Sequence, residues 1–84
     1  MKHVVLYGRE GCCLCDDALE LLEQIRARDP EAFALDYVDI ESDPELLRRY
    51  LERIPVIAID GREAFELVVD GSELERSLGI VRAR

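Results

Sequence analysis

Three cysteines lie within four consecutive positions near the start of the chain, as Cys12, Cys13 and Cys15. Because they are so close together, they cannot cross-link distant parts of a fold as the disulfides of small secreted proteins do. Their chemistry must be local, either thiol redox chemistry or metal binding. The Cys-x-x-Cys spacing, placed where a strand is predicted to give way to a helix, favours a redox pair of Cys12 and Cys15.

Cys12 is the predicted nucleophile of this pair. No Ser, Thr, Asp or Asn immediately precedes the predicted helix, so we expect the Cys12 sulfur to accept hydrogen bonds from the backbone N–H groups of Leu14 and Cys15. These groups and the positive end of the helix dipole favour the thiolate, which is the form that attacks a disulfide. Cys15 lies on the same side of the helix start and is the predicted resolving thiol, which attacks the mixed disulfide and releases the product.

Cys13 has two interpretations, an auxiliary thiol or a passive packing residue. It is rotated away from Cys15 on the helix, and a disulfide with the adjacent Cys12 would strain the peptide between them. The three thiols and Asp16 could also bind a soft metal ion, although a second chain would have to complete the ligand shell. We expect a redox pair with no metal ligands and no bound organic cofactor, and keep a metal or iron-sulfur carrier as the alternative.

Two further features are predicted to lie beside the pair. Arg9 is close to Cys12 in the sequence and could stabilise its thiolate or bind a substrate carboxylate, or it could be a solvated loop residue. Pro55 begins a predicted strand, where its missing N–H is tolerated, and the Ile54-Pro55 bond is predicted to be cis. A cis bond would expose the backbone carbonyl and N–H of Ile54 to an extended substrate, so both residues are predicted to bind substrate.

Apolar periodicity and turn residues predict the elements that position these side chains. The predicted order is strand, helix, strand, helix, strand, strand, helix, with Asp29-Pro30 ending the first helix. The expected strands cover residues 3–7, 35–40, 56–59 and 65–69. The apolar face of the first helix is predicted to contain Leu14, Ala18, Leu21, Leu22 and Ile25.

Capping residues predict where the two later helices begin. Asp43 is the expected N-cap of the second helix, which starts at Pro44. Ser72 and Glu75 form a capping box for the third helix, whose inward face includes Leu74, Leu78 and Val81, and Gly79 is its expected end.

This order of elements predicts one α/β domain over residues 1–84. A strand-helix-strand start favours a parallel strand pair with a right-handed crossover, and the Asp60-Gly61 turn predicts an antiparallel hairpin. The sheet should therefore be mixed and four-stranded, with helices on both faces.

Charge and composition exclude several function classes. The 84 residues include 19 acidic and 11 basic side chains, a formal net charge of -8. Such a charge disfavours nucleic acids and anionic membranes as partners, because their binding requires a basic surface. No apolar run approaches the ~20 residues of a membrane span, and no signal peptide is evident. We therefore expect a monomer in the reducing cytoplasm.

Four segments of the sequence, taken in chain order, resemble a known family. They are YGREGCCLCD at 7–16, YVDI at 37–40, IPV at 54–56 and DGSEL at 70–74. Together they span nearly the whole chain and resemble the glutaredoxin-like domain family of the thioredoxin superfamily. The resemblance implies a thioredoxin-like β-α-β-α-β-β-α fold with a sheet of order 2-1-3-4.

The resemblance also implies roles for individual residues. It implies that Cys12 is the nucleophile, that Cys15 is the resolving thiol, and that a cis Pro55 lies opposite them. It further implies that Gly71 and Ser72 could face a glutathione carboxylate. The expected function is a dithiol-disulfide oxidoreductase whose partner is a disulfide-containing protein or glutathione, with glutathione as a co-substrate. A non-catalytic adaptor that binds a partner in the groove beside Pro55 is a further alternative.

Overall fold

The computed structural model describes residues 2–79, in which four strands and three α-helices follow one another in the predicted order. A short 3-10 turn, Ile40–Ser42, links the second strand to the second α-helix. Val81, predicted to face inward, lies outside the described residues. The elements are β1 (Lys2–Gly8), α1 (Cys13–Arg28), β2 (Phe33–Asp39), α2 (Pro44–Tyr50), β3 (Val56–Ile59), β4 (Arg62–Glu66) and α3 (Gly71–Ser77).

The four strands form one mixed sheet in the order β2-β1-β3-β4, which confirms the predicted thioredoxin-like topology. β1 is parallel to β2 and antiparallel to β3, and β3 is antiparallel to β4. Gly8 at the end of β1 is opposite Asp39 at the end of β2, and Tyr7 is opposite Val56 at the start of β3. The loop that carries the cysteines and the segment before β3 therefore meet at one end of the sheet.

Alternating residues of the central strands form two apolar cores, one on each face of the sheet. Val4 and Leu6 of β1 pack with residues of α1 and α3, whereas Tyr7 packs with α2. The first core contains Val4, Leu6, Ala18, Leu22, Ile25, Phe33, Ile57, Leu74 and Leu78. The second contains Cys15, Ile40, Tyr50, Ile54 and Val56. The helices thus cover both faces, as predicted.

Helix α1 buries a slightly different face from the predicted one. Its buried side chains are Cys15, Ala18, Leu22 and Ile25. Leu14, which we predicted to face the core, is instead about half exposed. In the first turn of α1, the side chain of Cys15 faces the core, and the neighbouring Leu14 side chain therefore faces solvent. No helix within residues 2–79 is both long and apolar enough to span a bilayer.

The fourth strand ends earlier than predicted. β4 stops at Glu66, and Leu67 has a backbone φ of 67°, in the left-handed region. The Leu67 N–H donates to the carbonyl of Pro55 at 3.0 Å, and the Val68 N–H donates to the carbonyl of Glu66 at 2.8 Å. The prediction of a strand to residue 69 was wrong because the chain turns away from the sheet here, although residues 67–69 are all apolar.

The predicted capping box of α3 was also wrong. The Asp70 carboxylate, and not Ser72, caps the helix by accepting from the N–H groups of Ser72 at 2.8 Å and Glu73 at 3.3 Å. Both residue types are good N-caps, and the helix simply begins two residues earlier, at Gly71. Glu75, expected to reach back to Ser72, is buried and pairs with Arg28 at 3.0 Å. For α2 the predicted cap is confirmed, since the Asp43 carboxylate accepts from Glu45 N–H at 2.9 Å.

Candidate functional site

The loop between β1 and α1 places Cys12 at the N-cap of α1, the residue immediately before the helix. Gly11 turns the chain with a φ of +82°, a conformation that a side chain would disfavour. Cys12 then has an extended backbone, and its Sγ accepts a hydrogen bond from the Cys15 N–H at 3.2 Å. The prediction that the Cys12 sulfur caps α1 is therefore confirmed for the Cys15 N–H, but not for the Leu14 N–H, which was also expected to donate to it. The cap points the Cys15 N–H at the Cys12 sulfur.

Cys15 lies beneath Cys12 and has no solvent-exposed surface. It belongs to the apolar core that contains Tyr50, Ile54 and Val56, against which Cys12 also packs. Burial, reinforced by a side-chain hydrogen bond with Cys12, raises the pKa of Cys15 to about 12. At neutral pH, Cys15 is therefore a protonated thiol in an apolar environment.

The three thiols differ in access to solvent. Cys13 is exposed, Cys12 is half-buried and Cys15 is buried, and all three are free. An exposed thiol, Cys13, and a buried thiol, Cys15, therefore lie within a single helical turn. Within residues 2–79, no three His, Cys, Asp or Glu side chains are grouped so that they could hold a metal ion.

Alkylation should reveal this difference directly. At pH 8 in the folded protein, iodoacetamide should modify Cys13 at least about a hundredfold faster than Cys15, because the reactive thiolate is scarce at Cys15 and is buried. The Cys15 rate should rise as the pH approaches about 12, since the thiolate fraction increases with pH. Mass spectrometry of peptides would measure both rates. Unfolded protein is the control, in which the two rates should converge; equal rates in the folded state would contradict the assignment.

Gly8 packs directly against the side chain of Cys15. A Cβ atom at Gly8 would stand 2.9 Å from the hydroxyl of Tyr37 and 3.1 Å from the Cys15 Sγ. Both distances are too short for ordinary contact, so only glycine fits without movement of its neighbours. Burial raises the pKa of Tyr37, and negative charge at Cys15 adds to this effect. Sequence reasoning gave Tyr37 no separate role, although the glycine at the end of β1 signals such a close approach.

Ile54 and Pro55 lie at the same end of the sheet as the cysteines. The Ile54-Pro55 peptide bond is cis, and Pro55 is fully buried. The Ile54 N–H, which we expected to be open to a substrate, instead donates to the carbonyl of Tyr50 at 3.1 Å. This part of the prediction was wrong because the last carbonyls of α2 need donors, and Ile54 provides one.

The Arg9 and Arg53 side chains are both engaged by carboxylates. The Arg9 guanidinium pairs with Glu41 at 3.1 Å, and contact between Arg9 and the cysteines runs through its backbone, whose carbonyl accepts from Cys12 N–H at 3.4 Å. Arg53, next to Ile54, pairs with Glu63 and with Glu66. Arg53 also lies over the ring of Tyr50, 5.3 Å from its centroid.

Gly71 and Ser72 line a cleft of about 620 Å³ between α1 and α3. None of the three cysteines lines this cleft. The Ser72 N–H, which could have met a carboxylate, already donates to Asp70. The structure therefore does not bring these two residues together with the pair in one cavity. The cleft is lined by Leu21, Gln24, Ala27, Arg28, Asp70, Gly71, Ser72 and Glu75.

The sequence and the fold are both similar to known proteins. A family model described as Glutaredoxin-like domain (DUF836) matches residues 3–79. A structural-genomics target protein from X. campestris is 36% identical, with a TM-score of 0.74 over 90% of this chain and 95% of that chain. A protein from Nitrosomonas europaea is 27% identical, with a TM-score of 0.74 over 90% of this chain and 89% of that chain.

More distant structures share the fold alone. The oxidised thioredoxin from Plasmodium falciparum is 16% identical, with a TM-score of 0.64 over 93% of this chain and 78% of that chain. No curated protein matches the chain significantly.

Proposed function

Because the chain belongs to the glutaredoxin-like domain family, we propose that it is a thiol-disulfide oxidoreductase that acts through Cys12 and Cys15. One observation carries the proposal. The half-buried Cys12 sulfur accepts the Cys15 N–H at the start of α1, while the Cys15 thiol stays buried and protonated behind it. This arrangement suits one thiol to attack first and the other to act only afterwards.

The proposed reaction transfers two electrons from the pair to a substrate disulfide. The Cys12 thiolate attacks one substrate sulfur, which forms a mixed disulfide and expels the other substrate sulfur as a thiolate. Cys15 then gives its proton to the expelled substrate thiolate or to water, and its thiolate attacks the Cys12 sulfur. The Cys12-Cys15 disulfide forms, and the second substrate thiol is released. An external thiol or dithiol reductant must return the pair to its reduced state.

The proposal includes the setting in which the pair works. The substrate is a disulfide, either of a protein or of a glutathione mixed disulfide, and the reaction uses no bound metal or organic cofactor. The protein acts as a cytoplasmic monomer. Its net charge of -8 supports a partner other than nucleic acid or an anionic membrane.

A redox titration tests the proposal. In mixtures of oxidised and reduced dithiothreitol, we expect a reversible Cys12-Cys15 disulfide and a single remaining free thiol, Cys13. Mass spectrometry after thiol blocking would measure both. The Cys13→Ser variant is the matched control and should form the same disulfide. If no ratio of the two reagents produces this disulfide, the proposal is wrong. Protein purified without oxygen should be colourless and metal-free, whereas a metal or iron-sulfur carrier would not be.

A further inference from the structure

We propose that the disulfide attacked by Cys12 is carried by a protein segment with apolar side chains flanked by basic ones, and that glutathione is a poor substrate. This inference rests on the proposed function and names its substrate class. It follows from an apolar groove beside the pair and from the charges around it.

The apolar groove has a volume of about 260 Å³ and lies between α1 and the segment that follows β4. Three of its side chains are large, apolar and well exposed: Leu14 at 51%, Leu67 at 46% and Val68 at 77%. Neighbouring apolar side chains exposed in this way favour contact with a partner, since burying them is favourable. The groove is lined by Leu14, Asp17, Ala18, Leu21, Leu67, Val68 and Val69.

The groove is built on two segments that also carry the candidate active site, although no cysteine lines it. Leu14 is two residues beyond Cys12 in the first turn of α1. Leu67 is tied to the segment before β3 by the hydrogen bond from its N–H to the Pro55 carbonyl at 3.0 Å. A segment bound in the groove would therefore continue toward the Cys12 sulfur.

Leu67 adopts a backbone conformation that leucine rarely takes. Its φ of 67° lies in the left-handed region, which is unfavourable for a residue with a side chain. This turn ends β4 and leaves Val68 the most exposed of the large apolar side chains of the groove. Backbone of this kind is often found at binding sites, and here it keeps an apolar side chain at the surface beside the pair.

The charges around the pair favour a basic segment and disfavour an acidic ligand. Asp17 lines the groove, and Asp16 is exposed one residue earlier. The nearby Arg9 pairs with Glu41, so its charge is already compensated. Arg53 is likewise engaged by two carboxylates.

Glutathione fits these surroundings poorly. It carries two carboxylates and one ammonium group, so it needs cationic or N–H partners for its carboxylates. The Arg9 and Arg53 side chains pair with protein carboxylates, and the Ser72 N–H donates to Asp70. A second copy of the chain is also a poor occupant, because each copy has a net charge of -8.

The first arm of the experiment compares substrates. The wild-type protein is assayed with dithiothreitol as the reductant and three disulfides: a symmetric peptide disulfide with leucine and lysine around its cysteine, the same peptide with serine and glutamate in those places, and glutathione disulfide. We expect kcat/KM for the leucine-lysine peptide to exceed the other two values by about tenfold or more. A small uncharged disulfide reports the reactivity of the pair itself.

The second arm alters the groove. In Val68→Ser, kcat/KM for the leucine-lysine peptide, divided by the value for the small uncharged disulfide, should fall about tenfold. Leu51→Ser is the matched control, because Leu51 is 44% exposed but lies outside the groove. Its ratio should remain within about twofold of the wild-type ratio.

Each result decides for or against the inference. If glutathione disulfide or the serine-glutamate peptide reacts as well as the leucine-lysine peptide, or if Val68→Ser behaves like Leu51→Ser, the inference is wrong. A dimer seen by sedimentation that Val68→Ser dissociates would mean that a second copy occupies the groove, and would also overturn it. Reduction of the small disulfide without peptide preference refutes only this inference, whereas no reduction of any disulfide refutes the proposed function as well.

Discussion

Replacing Cys12 with serine is expected to abolish disulfide reduction, with a fall in kcat/KM on the order of a thousandfold or more. A serine hydroxyl is not ionised near neutral pH, and it cannot form the mixed disulfide that begins the reaction. The measurement is the rate of reduction of a small uncharged disulfide under steady-state conditions. Retention of the wild-type rate would show that Cys12 is not the nucleophile.

The Cys12→Ser variant should remain folded, so its inactivity would report chemistry. Serine is among the best N-cap residues and can accept the Cys15 N–H that Cys12 accepts in the wild type. Its thermal unfolding midpoint should therefore stay close to that of the wild type. Cys13→Ser is the matched thiol control, since Cys13 is exposed and outside the pair. A non-catalytic adaptor would instead bind its partner equally well when both Cys12 and Cys15 are replaced.

Replacing Cys15 with serine should have a different and equally large effect. Cys12 can still attack a substrate disulfide in this variant, but no resolving thiol remains to release the product. We expect the mixed disulfide on Cys12 to become the major species after one equivalent of substrate, whereas the wild type should retain almost none. Intact-mass spectrometry would measure the adduct, and its mass would identify the substrate.

Two controls make this trapping experiment specific. The double variant Cys12→Ser, Cys15→Ser should form no adduct above the level set by Cys13. A serine at position 15 places a hydroxyl in an apolar core, which costs on the order of 1 kcal/mol, so folding should be checked in parallel. An adduct located on Cys13 by peptide mapping would contradict the proposed order of attack.

Local chemistry made the centre of the site predictable from the sequence. The N-cap role of Cys12 follows from the absence of any better acceptor before α1, and Asp43 with Pro44 defines the start of α2 in the same way. The strand order came from the resemblance and from the hairpin at Asp60-Gly61, where both residues adopt positive φ. These features depend on residues close together in the chain.

The features that could not be predicted depend on contacts between distant segments. Leu67 leaves the sheet because its N–H meets the Pro55 carbonyl, and nothing in the alternation of apolar residues shows that contact. The Ile54 N–H is not available to a substrate, because it donates to the carbonyl of Tyr50 at the end of α2. The exposure of Leu14 goes with the burial of Cys15, because adjacent residues of an α-helix point in different directions.

Gly8 limits how this site could diverge among relatives or be redesigned. The Gly8 backbone lies against Cys15 and beside the Tyr37 hydroxyl, so any larger residue at position 8 would have to displace the sulfur or that hydroxyl. Substitution at this position therefore cannot change the surroundings of the buried thiol without moving its neighbours. Positions 13 and 14, which lie between the two cysteines in the sequence and face solvent, meet no such barrier.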